Sequence, residues 1–237
     1  MTTKIVLVYQ SLLGVYGDRG NATVLVERLR RRNIDADLVV AEPGDVVPDD
    51  AAVYLLGGGE DQAQVQAVKA LREDGNVLRG LDKGAVLFAV CAGYQILGKS
   101  FTIGETDVVH QGLGLLDVTT RRGDKRAVGE VLHRWTRPDG STSLITGFEN
   151  HGGHTTLGSE ASPLASVEKG VGNCGDGTEG AVQGNIIGCY PHGPVLVRNP
   201  DLADHLLEKA LGRELPPLPM PSIDRLRAER IQAIREG

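Results

Sequence analysis

Apolar residues in the first half of the chain fall into short unbroken runs, separated by stretches whose apolar positions recur at helical spacing. Residues 4–9 (KIVLVY) predict a strand, 14–21 a polar, glycine-bearing loop, and 22–32 a helix. Residues 37–40 (DLVV) predict a second strand, and 51–56 (AAVYLL) a third that stops abruptly at Gly57, Gly58 and Gly59. A helix is expected over 62–72 and the end of another over 77–83. Residues 85–90 (AVLFAV) then form the most convincingly buried strand of the sequence, with Cys91 at its exit. Strands alternating with helices at this spacing predict a doubly wound α/β sheet, mostly parallel and flanked by helices.

The pattern changes after residue 118. Thr, Val, Arg and Gly at short intervals over 118–148 predict β-hairpins, with Asp139-Gly140 as a turn. The glycine-rich stretch 170–184 reads as loop, 185–190 (NIIGCY) as a strand with His192 just past its end, and 199–212 as a helix capped at both ends. Prolines at 216, 217, 219 and 221 mark a stiff extended segment before a charged helix at 222–236. The expected organisation is one domain over 1–212 and an appendage over 213–237 that docks on its own body or on a partner.

Composition narrows the class. A chain of 237 residues with 41% hydrophobic and 24% charged residues buries a substantial core without disulfides. Aromatics at 4% point to a core of Val, Leu, Ile and Ala. The net charge of −6 offers no general attraction to nucleic acid or to an anionic membrane. The N-terminus does not read as a signal peptide, and no apolar run is long enough to span a bilayer. Three widely spaced cysteines, Cys91, Cys174 and Cys189, argue against a disulfide framework and for a cytoplasmic location.

Cys91 ends a buried strand and is followed by Ala92, Gly93 and a helical run. A nucleophile at such a turn is presented at the carboxyl edge of the sheet, and the helix behind it is expected to lower its pKa. The glycines after the third strand can bring the Gly58 N–H close to a reacting carbonyl, where it and the Ala92 N–H would form an oxyanion hole. His192, set between Pro191 and Gly193 at another strand exit, is fixed in direction and suits a general base. In a parallel sheet these exits share one edge, so His192 can meet Cys91 across a long sequence separation.

These features together resemble the class I glutamine amidotransferases, whose fold is flavodoxin-like: the triple glycine, the Cys-Ala-Gly-Tyr-Gln elbow and the late His-Gly-Pro. The similarity is greatest to the cobyric-acid-synthase-like branch, through residues 16–21 (YGDRGN), 147–153 (GFENHGG) and 188–194 continuing to 198–200. It covers residue 4 to about residue 212. The resemblance implies glutamine hydrolysis through a thioester on Cys91 and transfer of ammonia to a MurT-like Mur ligase subunit. There the α-carboxyl of D-glutamate in the lipid-linked peptidoglycan stem peptide would be amidated. It places ATP and Mg on that partner, with no cofactor or metal in this chain, and leaves a corrinoid-like acceptor as the alternative. Corrinoid enzymes carry their ATP-using domain ahead of the amidotransferase fold; this fold begins at residue 4, so the ATP step is expected on a separate polypeptide. The resemblance also implies a glutamine-binding arginine, placed at Arg126 with Arg121 and Arg122 as nearby alternatives; an arginine fork suits an α-carboxylate.

Two positions depart from the class pattern. Ala89 stands where a glycine precedes the cysteine, and Pro194 stands where a glutamate follows the histidine. The acid that orients the histidine is therefore absent, supplied by Glu149, or supplied by the partner. Two further motifs are set aside. Residues 93–100 match the phosphate-loop pattern, but β-branched residues follow Lys99-Ser100 where a helix should begin. His151, His154, Cys189 and His192 lack the spacing of a structural zinc site.

Overall fold

A computed structural model describes residues 2–14, 17–104 and 108–236. The chain opens with β1 (Thr3–Val8) and turns at Tyr9 into a single-turn helix, α1 (Gln10–Leu13). Then follow α2 (Arg19–Arg30), β2 (Ala36–Ala41), β3 (Val53–Leu56), α3 (Asp61–Asp74), α4 (Asn76–Asp82), β4 (Val86–Val90) and α5 (Ala92–Leu97). Apart from α1, which the apolar pattern does not announce, these are the expected elements within a few residues. Lys99 and Ser100 lead into a strand, β5 (Ser100–Thr102), as expected of a sequence that is not a phosphate loop.

The second half supplies β6 (Val109–Gln111), a long hairpin of β7 (Val118–Thr136) and β8 (Thr142–Leu157), and β9 (Ala165–Lys169). Asp139 and Gly140 lie in the turn between β7 and β8, where the Gly140 N–H donates to the Arg137 carbonyl. The stretch 170–184 is not all loop. It contains β10 (Thr178–Glu179) and β11 (Ala181–Gln183), which pair with β9 and with β12 (Ile186–Cys189). Ladder bonds to strands already in place outweigh the local preference of so glycine-rich a segment. The chain ends in α6 (Val195–Arg198), α7 (Pro200–Leu211) and α8 (Pro221–Glu236).

Among the described residues the strands form two six-stranded sheets. The first runs β11-β12-β4-β3-β1-β2 and is parallel except for the edge strand β11. β4, at its centre, is buried along its whole length. The second runs β10-β9-β7-β5-β6, with β8 on the free side of β7. The hairpin meets the first sheet where Phe148 of β8 exchanges backbone hydrogen bonds with His192. Asn199, expected as a helix cap, makes no capping bond; it ties β8 to α6 through the Thr146 backbone and the Val195 carbonyl.

Two polar clusters, one on the helical layer and one between the sheets, bear on stability. On the helical layer, Asp204 of α7 receives both prongs of Arg28 at 2.7 and 2.6 Å and Arg32 at 2.7 Å, with both arginines of the α2 region nearly inaccessible. Arg28 also reaches the Met220 sulfur, and Arg32 the Pro216 carbonyl, so this cluster holds the proline-rich segment down. α8 then lies on the second sheet, with Lys169 bonded to the Ile234 carbonyl and Ile234 buried. The appendage therefore docks on its own body.

Between the sheets, Glu179 of β10 is fully buried. Its Oε1 accepts the Tyr190 N–H at 2.7 Å, while its Oε2 has no hydrogen-bond partner and lies 4.0 Å from His133 Nε2. Burial pushes the Glu179 carboxyl up to about 8 and the His133 imidazole down to about 4. At neutral pH the two groups are thus an uncharged pair, not a salt bridge.

Asp204→Ala, which strands two buried guanidinium groups, is expected to cost about 3–5 kcal/mol in chemical denaturation. Glu179→Gln is expected to act with the opposite sign. An acid whose folded pKa is raised contributes stability that is complete below its unfolded pKa and lost as pH rises through about 8. The Gln variant should therefore melt higher than the parent above about pH 8, by about 2–4 °C per kcal/mol recovered. The gap should close toward acid pH in a series of thermal melts.

Candidate active site

Cys91 follows β4 directly and adopts φ 52°, ψ −108°, a region an L-residue rarely occupies. Its N–H donates to the Cys189 carbonyl at 2.8 Å and its carbonyl accepts the Gln95 N–H at 3.0 Å. The strained residue is thus fixed between the end of β12 and the first turn of α5. Gly93 lets that turn approach β3, because a Cβ there would meet Leu56 and the Gly57 carbonyl at 2.9 Å. This is the predicted strand-to-helix elbow.

His192 reaches the same edge from the neighbouring strand. β12 and β4 are parallel with Cys189 opposite Val90, so Cys91 and His192 both emerge just beyond that paired row. Both are almost fully buried. Burial, and then the nearby charges of His151 and Arg126, hold His192 down at about 4, so it is a neutral imidazole able to accept a proton. Cys91 departs from expectation. Burial drives its thiol up to about 12, outweighing the Ala92 N–H that donates to the sulfur and the Arg126 charge. A helix of six residues offers too little dipole to reverse that desolvation.

Cys91 opens into a cavity of about 340 Å³, whose wall includes Gly59, Gln64, Gln95, Arg122, Arg126 and Asn150. Arg126 is held over it by a bulge in β7. Arg122 pairs with Gly153 and Ala127 with His151, so residues 123–126 stand out opposite Gly152. Arg126 Nε donates to Asn150 Oδ1 at 2.7 Å, which leaves part of its fork for a ligand. Of its neighbours, Arg122 lines the cavity, whereas Arg121 turns to the Thr120 carbonyl and Ser100.

The oxyanion hole is not in the predicted arrangement. Ala92 is in place beside the sulfur, but the Gly58 N–H donates at 2.6 Å to Oδ2 of Asp18. Asp18 belongs to the stretch 16–21 quoted above and is buried at the site; Tyr16 lies outside the described residues. No role for Asp18 follows from the sequence pattern; its place in a glycine-flanked loop ahead of α2 is the available signal. Its neighbour Asn21 donates to Asp18 Oδ1 at 3.3 Å and accepts the Leu196 N–H at 2.9 Å, linking the loop to the segment after His192.

Glu149 is engaged elsewhere than at His192. Its carboxylate accepts the N–H groups of Val171 and Gly172 and lies 3.8 Å from His151 Nε2. Despite a burial penalty, these partners hold it below the usual range, so it is ionised. His151 in turn stacks on Tyr190 at 3.6 Å, and the Tyr190 hydroxyl meets Gln95 and Thr155. This buried polar layer backs the site from the second sheet. Cys174 and Cys189 stand outside the cavity wall, and burial pushes both thiols up.

Known proteins give this geometry its context. The GatD subunit of lipid II isoglutaminyl synthase (glutamine-hydrolyzing) from Staphylococcus aureus is 34% identical over 90% of this chain and 86% of its own length. A cobyric acid synthase from Sphingopyxis alaskensis is 33% identical over 73% of the chain, but over only 34% of its own length. Among solved structures, PurLQS from Thermotoga maritima shares the fold, with a TM-score of 0.61, 15% identity, and coverage of 90% of this chain and 99% of that one. The family model for CobB/CobQ-like glutamine amidotransferase domains matches residues 4–200, and the chain belongs to that family.

Proposed function

We propose that the chain is the glutaminase subunit of a lipid II isoglutaminyl synthase. The observation that carries the chemistry is the placing of Cys91, on its strained elbow, and His192 at the exits of two paired strands, with Arg126 over the same cavity. The acceptor is supported by likeness: the GatD-type relative is 34% identical over 90% of this chain, against 33% over 73% for a cobyric acid synthase.

Arg126 and its neighbour Asn150 hold the α-carboxylate of glutamine, and the side-chain amide extends toward Cys91. His192, neutral at physiological pH, takes the thiol proton as sulfur attacks the amide carbon. The C–N bond breaks as the imidazolium returns that proton to the leaving nitrogen, releasing ammonia and leaving a thioester. Water, deprotonated by the same imidazole, then cleaves the thioester to glutamate and the free thiol. Ammonia passes to a MurT-like ligase subunit that binds ATP and Mg and amidates the D-glutamate α-carboxyl of the stem peptide. This chain carries no cofactor in that scheme and works in the cytoplasm; among the described residues no helix is long and apolar enough to cross a membrane.

Cys91→Ala and His192→Ala are each expected to abolish ammonia release from glutamine while leaving the melting profile near that of the parent. Arg126→Ala should raise KM far more than it lowers kcat, because its contact with the carboxylate is made equally in ground and transition states. Glutaminase activity retained without Cys91 would overturn the mechanism. Stable co-purification with a Mur-ligase-type chain is the expected test of the acceptor, and a corrinoid-modifying partner in its place would reassign it.

A further inference from the structure

The peptide between Gly57 and Gly58 is held from both sides. Its carbonyl accepts the Gly93 N–H of α5 at 3.0 Å, on the side where Cys91 and Ala92 lie. Its N–H points the other way and donates to Asp18 at 2.6 Å. In this orientation a carbonyl dipole, not a donor, faces the first turn behind the nucleophile. A tetrahedral intermediate on Cys91 carries a negative oxygen, which needs N–H donors and is repelled by carbonyl oxygens. Asp18 is no loose surface acid: it is buried, braced by Asn21, and packed so closely on Gly57 that a Cβ there would lie 2.6 Å from it.

We infer that Asp18 sets the orientation of the Gly57–Gly58 peptide and thereby decides whether the oxyanion hole exists, turnover requiring that peptide to rotate so that the Gly58 N–H joins that of Ala92. Glycine on both sides of the peptide lets its φ and ψ change without a Cβ clash, and the rotation gives up the bond from the Gly93 N–H. After rotation the Gly57 carbonyl faces Asp18. An ionised carboxylate repels that oxygen, whereas a protonated one donates a hydrogen bond to it. Burial raises the Asp18 carboxyl to about 6, so both forms lie within reach of physiological pH. At Asp18 burial raises the carboxyl and the bond from the Gly58 N–H opposes it; the Asp18 charge, with those of Arg126 and Glu179, also acts on the Cys91 thiol. Asp18 is a positioning residue: it acts through a backbone peptide and not on glutamine.

The inference rests on the glutaminase reading, and the test separates the two. Ammonia release from glutamine and alkylation of Cys91 by iodoacetamide are measured on the full chain for the parent, Asp18→Asn and Asp18→Ala. The asparagine side chain is isosteric and can donate to the rotated carbonyl at any pH. It should raise kcat about tenfold at about pH 7, one unit above the carboxyl's pKa, with KM unchanged. It should also remove the fall in parental kcat as pH rises through about 6. Alkylation needs a thiolate but no oxyanion hole, so it should rise far less than kcat. The alanine variant, where it folds, should also lose the pH dependence. An Asn variant with kcat at or below that of the parent, or with alkylation rising in step with kcat, overturns the inference. Ammonia release that persists in a Cys91→Ala control sinks the glutaminase reading instead, and this inference with it.

Discussion

Cys91 holds a backbone conformation that costs an L-residue of order 1–3 kcal/mol and persists only where the surroundings over-determine it. The rest of the site follows from how they do so. Its N–H is committed to β12 and its carbonyl to α5, and the next residues of α5 are committed to the glycines after β3. β3, β4 and β12 must therefore be neighbours in the observed register, and that register carries His192 to the same edge. A slip of one residue in β12 would turn His192 from the site and put Tyr190 out of line with the Glu179 carboxylate that receives its N–H.

The first sheet contributes the nucleophile and the base, while substrate recognition comes from the second. The bulge in β7 displaces residues 123–126 from the ladder and aims Arg126 at the cavity. The two halves meet near the chemistry at the Phe148–His192 backbone pair, in the stack of His151 on Tyr190 and through the Thr155–Tyr190 hydroxyl pair. Recognition and catalysis are therefore coupled through a polar seam that includes the backbone of His192.

Much of this was legible in the sequence because the parallel sheet announces itself. Runs such as 85–90 can be buried only from both faces, and a cysteine or histidine at the end of such a run must lie on one edge. Arg126 was legible only through resemblance, since a bulge has no signal in a pattern of alternating residues. The strands β10 and β11 escaped because glycine-rich segments form strands only when neighbours supply the ladder. Asp18 and Glu179 escaped for another reason. Their importance lies in burial and in the backbone groups they face, and neither is encoded locally. The thiol pKa was misjudged in direction because the sequence shows the helix start but not how thoroughly the elbow is desolvated.

Burial also fixes what the site can do. With the thiol near 12 and the imidazole near 4, both groups rest uncharged, and passing a proton from Cys91 to His192 creates two buried charges. Arg126 does not resolve this, because its positive charge favours the thiolate and disfavours the imidazolium. When the α-carboxylate of glutamine neutralises Arg126, the two effects vanish together and the proton transfer is left nearly where it was. Binding energy at the carboxylate therefore positions the amide without activating the sulfur. What remains to lower the barrier is stabilisation of the charge as it moves from sulfur to the amide oxygen. Ala92 already gives its N–H to the sulfur and can follow the charge across. A second donor can come from the glycines after β3, where Asp18 now holds the Gly58 N–H.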